Sequence, residues 1–325
     1  GRANTPWIQF YNYKTKYAPN PVVDFLAANS TEYRTTQPTF LNISQAPFFH
    51  PVYADWLGHL FQYNNVQSFD VIQLPRMPVD YQALMVDTFT NAAQYVRLWE
   101  LTSTRWILSP TALLPEVNQQ LDKGKERFKV ALKFDLTNGE GNNILAVTNG
   151  PGNFAVLDFT GALPRAKVYS SWIVEPGDKA SLQKISDPAF DPHAQVVVNA
   201  TALPGSGDPR LAEASSVSYE SYAPKKTVLK VKTNVPGVLL LNDKYDPDWK
   251  VSVDGSPKEL LRSNYLMRGV QVPAGDHQVV FEFKPKLDAL YVSLGATIIG
   301  LGLCGFLLVS KTKEQPTISP VEPKK

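Results

Sequence analysis

Apolar positions along the chain follow three different periods, and each period predicts a different kind of element. In the first third they recur at helical spacing. Tyr81, Leu84, Met85, Phe89, Ala92, Val96 and Trp99 trace one face of a long helix that starts at Pro78. A shorter helix, PVVDFLAAN, opens at Asn20-Pro21, where asparagine caps and proline fits the first turn. PVYADWLGHLFQ at 51–62 predicts another, and RWILSP at 105–110 a strand. Between 127 and 159 the period shortens to two. RFKVALKFDL, NILAV and NFAVLDF predict a three-strand meander with turns at Asn138-Gly139 and Asn149-Gly150. KVYSSWIVE, a helix near 178–186 and AQVVV at 194–198 complete an expected α+β domain over residues 1–205.

ALPGSGDPR at 202–210 gathers proline, glycine and aspartate and predicts a linker. After it the pattern is wholly β: SVSYESYA, KTVLKVKT, GVLLLND, WKVSVDG, KELLRS, YLMRGVQV and HQVVFEFK are seven short segments separated by turn signals. They predict a β-sandwich over residues 211–286. The third period is no period at all. LYVSLGATIIGLGLCGFLLV, residues 290–309, carries no charge, and at 1.5 Å per residue it reaches about 30 Å, the thickness of a bilayer core. The expected fold class is therefore an α+β domain followed by an all-β sandwich domain and one C-terminal transmembrane helix. The polar, proline-rich tail at 310–325 is expected to be disordered.

Composition adds limits. The chain has 325 residues, a net charge of +2 and no strongly basic stretch, which argues against nucleic acid as a partner. The single cysteine, Cys304, lies inside the apolar run, so no intrachain disulfide can form. Lys311, Lys313, Lys324 and Lys325 follow the span while only Lys284 and Lys286 shortly precede it. That bias predicts a cytoplasmic tail and an extracytoplasmic folded region, with the sandwich at the membrane surface. Ala296, Gly300 and Cys304 form a small-residue ridge on which another membrane helix could pack. The chain begins at Gly1 without an apolar leader and is expected to be a piece of something longer.

The stretch NDKYDPDWKVSVDG, then LLRSNYLMRGVQVPAGDHQVVFEFKP, then an apolar helix, resembles the end of the YfhO family of bacterial multi-pass membrane proteins. The positions that carry the likeness are Tyr245, Trp249, Asp254, Gly255, Asn264, Tyr265, Val270, Val272, Pro273, Gly275 and His277. FTGALPRAKVYSSW and WELTSTRWILSP resemble the family's soluble region. The resemblance implies similarity to GT-C glycosyltransferases: many N-terminal membrane helices, a large extracytoplasmic domain and a closing span in the bacterial cytoplasmic membrane. It implies partners in the bilayer, in those helices absent from this chain, and in a lipid-linked sugar or envelope glycan. The catalytic acid of such enzymes lies in an early loop that this chain lacks, so no catalytic residue carries over.

The residues themselves point the same way. No nucleophile motif, phosphate loop or metal-binding spacing occurs, and no cofactor or metal is expected. GPGN at 150–153 reads as a turn, and Asp243, Asp246 and Asp248 as turn formers around Pro247 rather than calcium ligands. Aromatic rings crowd the N-terminal part. Trp7, Tyr11, Tyr13, Tyr53 and Trp56 are candidate glycan contacts, because sugar C–H faces stack on rings; a core or headgroup-level role is the alternative. The family-like positions Tyr245, Trp249, Asp254, Gly255, Asn264, Tyr265, Gly275 and His277 are expected to be structural. The functional expectation is an extracytoplasmic region that assists glycosyl transfer by binding substrate or acceptor; the alternative is a non-catalytic, membrane-anchored surface module.

Overall fold

The computed structural model describes residues 14, 17, 18, 20–38, 53–70, 76–139, 144–200 and 203–311. The chain divides into two compact units, the second beginning at Phe283. The first holds a helix-and-strand N-terminal part and a β-rich part, and the second holds one apolar helix.

The N-terminal part starts with α1 (Pro21–Ala28), whose cap Asn20 accepts from the backbone N–H of Val22 and Val23 at 3.0 and 3.2 Å. After β1 (Arg34–Thr36), residues Tyr53–Leu60 wind as a π-helix that tightens into α2 (Phe61–Tyr63). The helix expected from Pro78 to Trp99 is two. The first is α3 (Val79–Gln82), continued by a π-helical stretch, Ala83–Thr88; the second is α4 (Ala92–Leu101). The break comes from Asn91. Its side chain accepts from Gln94 N while the Gln94 side chain accepts from Asn91 N, a capping box that restarts the helix there. An apolar stripe in phase across the break hid it from periodicity.

The first sheet follows the order β1-β2-β5-β3-β4, with β2 at Thr104–Pro110, β3 at Phe128–Asn138, β4 at Ile144–Val147 and β5 at Phe154–Phe159. The three expected β segments are present, but they are not a meander in space. β3 lies between β4 and β5, and β5 reaches across to β2.

The β-rich part is two sheets facing each other. One follows the order β6-β11-β15-β14-β8-β7, from β6 (Ala166–Tyr169), β7 (Trp172–Val174), β8 (Val196–Asn199), β11 (Gly237–Lys244), β14 (Leu261–Ser263) and β15 (Met267–Val272). The other, β13-β12-β16-β10-β9, uses β9 (Ser216–Ala223), β10 (Lys226–Thr233), β12 (Trp249–Val253), β13 (Ser256–Lys258) and β16 (Gly275–Phe283). The expected segment KVYSSWIVE splits at Ser170-Ser171, and its halves, β6 and β7, take opposite edges of one sheet. Helix α5 (Asp178–Ser186) connects β7 to β8, which run parallel.

β11 shows how the cores are divided. Its alternate residues Leu239 and Leu241 enter the core between the two sheets with Val270, Val279 and Phe281. Val238 and Leu240 enter a second core with Ile107, Leu157 and Trp99 of the N-terminal part. A strand buried on both faces loses alternation and reads as a continuous apolar run, as GVLLL does. The expected boundary at 202–210 therefore does not separate two cores: β6, β7 and β8 precede it, yet they complete the sheet of β11. The segment itself is pinned. Trp172 Nε1 donates to Leu203 O at 2.9 Å and Gly207 N to Ser170 O at 2.7 Å.

The C-terminal helix, α6 (Asp288–Lys311), is long and apolar enough to cross a membrane, and its window has a mean hydropathy of 2.2. Leu290, Val292, Ile298, Leu301, Phe306 and Leu308 are all exposed along it. Such a surface is stable in lipid rather than in water. Of the expected tail at 310–325, Ser310 and Lys311 continue the helix and residues 312–325 lie outside the described residues.

Candidate functional site

One concavity is an open cleft of about 670 Å³, within the size range of small-molecule sites. The edge strand β6 supplies Lys167, the loop after α5 supplies Asp191 and His193, and the turn Pro209–Ala212 and its flank supply Arg210 and Glu213; Glu32 completes the rim. An edge strand leaves one side free for loops, and here the loop is held by local bonds. Asp191 Oδ1 accepts from His193 N at 2.8 Å, and Lys167 Nζ donates to His193 O.

Burial pulls Lys167 below the ordinary lysine value, opposed by Asp191 and Glu213, while burial pushes Glu32 above the ordinary carboxylate value, opposed by Arg165. His193 keeps solvent on one side, yet desolvation of its ring and the neighbouring Lys167 charge hold the imidazole below its usual value. Its Nε2 lies 3.1 Å from Gly161 O, which can only accept, so a hydrogen bond there calls for the proton on Nε2. The cleft offers acceptors in Glu32, Asp191 and Glu213 and donors in Lys167 and Arg210. That suits a ligand rich in hydroxyls or carrying charges of both signs.

Behind Glu32 lies a second feature, a buried cluster of three arginines around one carboxylate. Asp243 accepts from Arg34 Nη2 and Arg268 Nη2, each at 3.1 Å, and from the Tyr222 hydroxyl at 3.2 Å. Arg165, fully buried, donates from Nη1 to Tyr222 Oη at 2.8 Å and to Gln67 Oε1, and its Nη1 lies 3.8 Å from Asp243. Arg34 also donates to Thr102 O at 2.6 Å and Asn242 O at 2.7 Å, and the Arg268 guanidinium stacks 3.7 Å over the Trp249 ring. Burial lowers Arg34, reinforced by Arg165, and burial lowers Arg268. The stretches FTGALPRAKVYSSW, NDKYDPDWKVSVDG and NYLMRGVQV thus meet here through Arg165, Asp243, Trp249 and Arg268. WELTSTRWILSP joins them through Thr102 and through Ser103, which accepts from Asn242 Nδ2 at 2.8 Å.

The other family-like positions build turns and clamps. Asp254 and Gly255, at φ +51° and +76°, make the β12–β13 hairpin, and Asp254 binds His277 Nδ1 at 2.6 Å and Gln278 N at 2.8 Å. Asn264 and Tyr265, at φ +44° and +66°, turn β14 into β15, while Asn264 Oδ1 accepts from Val197 N at 3.0 Å. Gly275, at φ +133°, starts β16, and Tyr245 N donates to Leu266 O at 2.7 Å. Trp249 is half-buried and packs on the inter-sheet core.

The expected glycan contacts fare differently. Trp56 is a core residue, 1% exposed, with its ring 5.9 Å from that of Phe134, so it is closed to a ligand. An aromatic that repeats with Leu57, Leu60 and Phe61 on a helix belongs to packing. Tyr53 starts the π-helix, its side chain outside the described atoms; Trp7, Tyr11 and Tyr13 lie outside the described residues. GPGN is a turn with its amides engaged, since Asp135 accepts from Gly152 N and Asn153 N at 2.7 and 2.8 Å. Of the aspartate trio, Asp243 faces the arginines and Asp246 accepts from Asp248 N at 2.8 Å.

Sequence reading missed the cleft residues altogether. Lys167, Asp191, His193 and Glu213 share no motif, and only the edge position of β6 brings them together. Comparison with known protein families, characterised proteins and solved structures found no match. What fold and site define is a class: a β-rich protein with an open, mixed-charge cleft and one C-terminal helix fit to span a membrane.

Proposed function

We propose that this chain is the extracytoplasmic, substrate-binding part of a YfhO-like, GT-C-related protein of the bacterial cytoplasmic membrane. It holds a lipid-linked sugar or envelope glycan in the Lys167–Asp191–Glu213 cleft. The observation that carries this reading is a cleft of about 670 Å³ lined by both acceptors and donors, in a chain that also carries a helix apolar enough to span a bilayer. Among the described residues of the cleft no nucleophile–base pair is formed: Lys167 reaches the His193 carbonyl, not its ring. In this reading the chain binds and presents, and bond transfer belongs to membrane helices outside it.

The test is a glycan array probed with the full chain in nanodiscs, followed by titration of any hit. Binding of oligosaccharides that falls at least about tenfold in Asp191→Asn and Lys167→Met, the loss of about one charge-assisted hydrogen bond each, is the expected result. Binding to no glycan, or binding untouched by both changes, would overturn it.

A second reading, a non-catalytic surface module with a structural role, draws on a different observation. The residues most like the family serve turns and the buried arginine cluster, not the cleft. An intact fold with no ligand in that array would favour it.

A further inference from the structure

The arginine cluster holds more donors than its acceptors can satisfy. Asp243 is already engaged by two guanidiniums and a hydroxyl. That leaves Nε and Nη2 of Arg165, and Nε and Nη1 of Arg268, buried with no acceptor among the described residues. Arg165 is fully buried and Arg268 only 3% exposed, and arginine does not shed its proton to escape the cost. Other carboxyls nearby are committed elsewhere. Glu32 accepts from the Arg165 backbone and burial drives it toward its neutral form, and Asp70 accepts from Thr36 and Gln37. Buried positive charge without a counter-charge is among the costliest arrangements in a protein.

Next to this cluster lies a cavity of about 130 Å³, walled by Arg34 and Lys244, with Tyr81, Thr102, Phe69 and Met267 around them. It is well below the roughly 300 Å³ at which sugar- or nucleotide-sized sites begin, yet exceeds the ~30 Å³ of one water several times over. Its polar walls are one-sided. Lys244 Nζ spends one contact on Asp80 at 3.2 Å. The Tyr81 hydroxyl donates to Phe69 O at 3.1 Å, and that of Thr102 to Leu98 O at 2.7 Å. Arg34 spends Nη1 on Thr102 O and Nη2 on Asn242 O and Asp243, so what it lends the space is charge, beside the Lys244 ammonium and the apolar side chains of Phe69, Met85, Leu266 and Met267. Such a lining favours a weakly hydrated monovalent anion over phosphate or sulfate, which need several donors apiece to replace their water. Arg165 and Arg268 do not line the cavity; they share Asp243 with Arg34, which does.

We propose that this cavity is a binding site for a small monovalent inorganic anion, a halide, which neutralises the arginine cluster and thereby ties the N-terminal part to the β-rich part. β1 contributes Arg34, and β11 contributes Lys244 and Asp243, so the bound anion links elements from the two ends of the first unit.

The test uses the full chain in detergent, unfolded thermally in sodium chloride or bromide against sodium gluconate at equal ionic strength. Chloride and bromide should raise Tm saturably by about 2–6 °C, as expected of a ligand that binds only the folded state. Gluconate is too large for the cavity and should have no such effect. In Lys244→Met, half-saturation should move to at least about tenfold higher halide. Chloride-35 NMR line broadening, read on the folded protein at fixed temperature, should fall in the same variant. If that variant does not fold, Lys244→Gln takes its place. Equal Tm in chloride and gluconate overturns the site, and an unchanged halide response in Lys244→Met overturns its location. Glycan binding in the cleft is a separate readout, so either idea can fail alone.

Discussion

Two aspartates of the β-rich part meet cations in opposite surroundings. Asp243, on the last turn of a strand buried on both faces, gathers three guanidiniums in a protein interior. Asp254, at the tip of the β12–β13 hairpin, is half exposed and holds His277 at 2.6 Å. Their sequence settings are alike, each an aspartate near a turn. Water makes the difference. Around Asp254 it screens the pair and solvates either partner alone. Around Asp243 it is excluded, so removing one partner leaves the others uncompensated. Asp70 is the instructive intermediate: a carboxylate held by Thr36, Gln37 and Ser68 with no cation bound to it among the described residues, which burial pushes up to about 6.

The sharpest way to break the comparison is Asp243→Ala. It strands three buried guanidiniums and should cost about 3–5 kcal/mol, read by denaturant unfolding of the full chain. A smaller loss, equal to that of a surface substitution, would mean that water already reaches the cluster. The double change Asp243→Leu with Arg268→Met removes charge of both signs and should regain at least about 1 kcal/mol relative to Asp243→Ala.

Gly237→Ala tests how tightly the double-sided strand is seated. Its new Cβ would lie 2.7 Å from Tyr169 O on β6, so a loss of about 1–3 kcal/mol is expected.

Asp70 gives a pH signature. Its folded value is raised, so the folded state binds more protons than the unfolded state between the ordinary carboxylate range and about 6. Stability should therefore fall by about 1–3 kcal/mol as pH rises through that window. Asp70→Asn should flatten this, and an unchanged slope would place the titration elsewhere.

The smallest effect belongs to Asp254→Asn, which keeps a residue tolerant of φ +51° while removing the charge. The hydrogen bond to Asp254 raises His277, so that contribution is present at low pH and lost as pH rises through the raised value. His277 and Gln278 N lower Asp254, so its contribution is present above the ordinary carboxylate range and lost as pH falls. The variant should lose stability only between those limits, seen as a shallower Tm–pH curve there. A loss as large as that of Asp243→Ala would erase the contrast.

Much of the local structure was legible from residue order. Asn20-Pro21 opened a helix, SVSYESYA and KTVLKVKT became β9 and β10 residue for residue, and the uncharged run became one helix. Period, cap and turn chemistry are properties of neighbours along the chain, and they survive whatever tertiary setting is added. Where the reading slipped, the causes differ. The capping box at Asn91, a local signal, broke a helix whose apolar stripe stayed in phase, and for Trp56, read as a candidate glycan contact with a core role as the alternative, a distant partner, Phe134, decided for the core.

Which strand sits beside which, and which charges share an interior, lay beyond residue order. β6 and β7 are separated by two residues yet take opposite edges of one sheet. Arg34, Arg165, Asp243 and Arg268 come from four separate segments and meet at one carboxylate. The cleft residues Lys167, Asp191 and Glu213 converge only because β6 is an edge strand with loops to cover it. Sequence alone determined the elements and the membrane-length helix, because backbone and side-chain preferences act over a few residues. Tertiary structure decided the cleft and the buried arginines, because burial and charge balance are summed over residues that the chain itself keeps far apart.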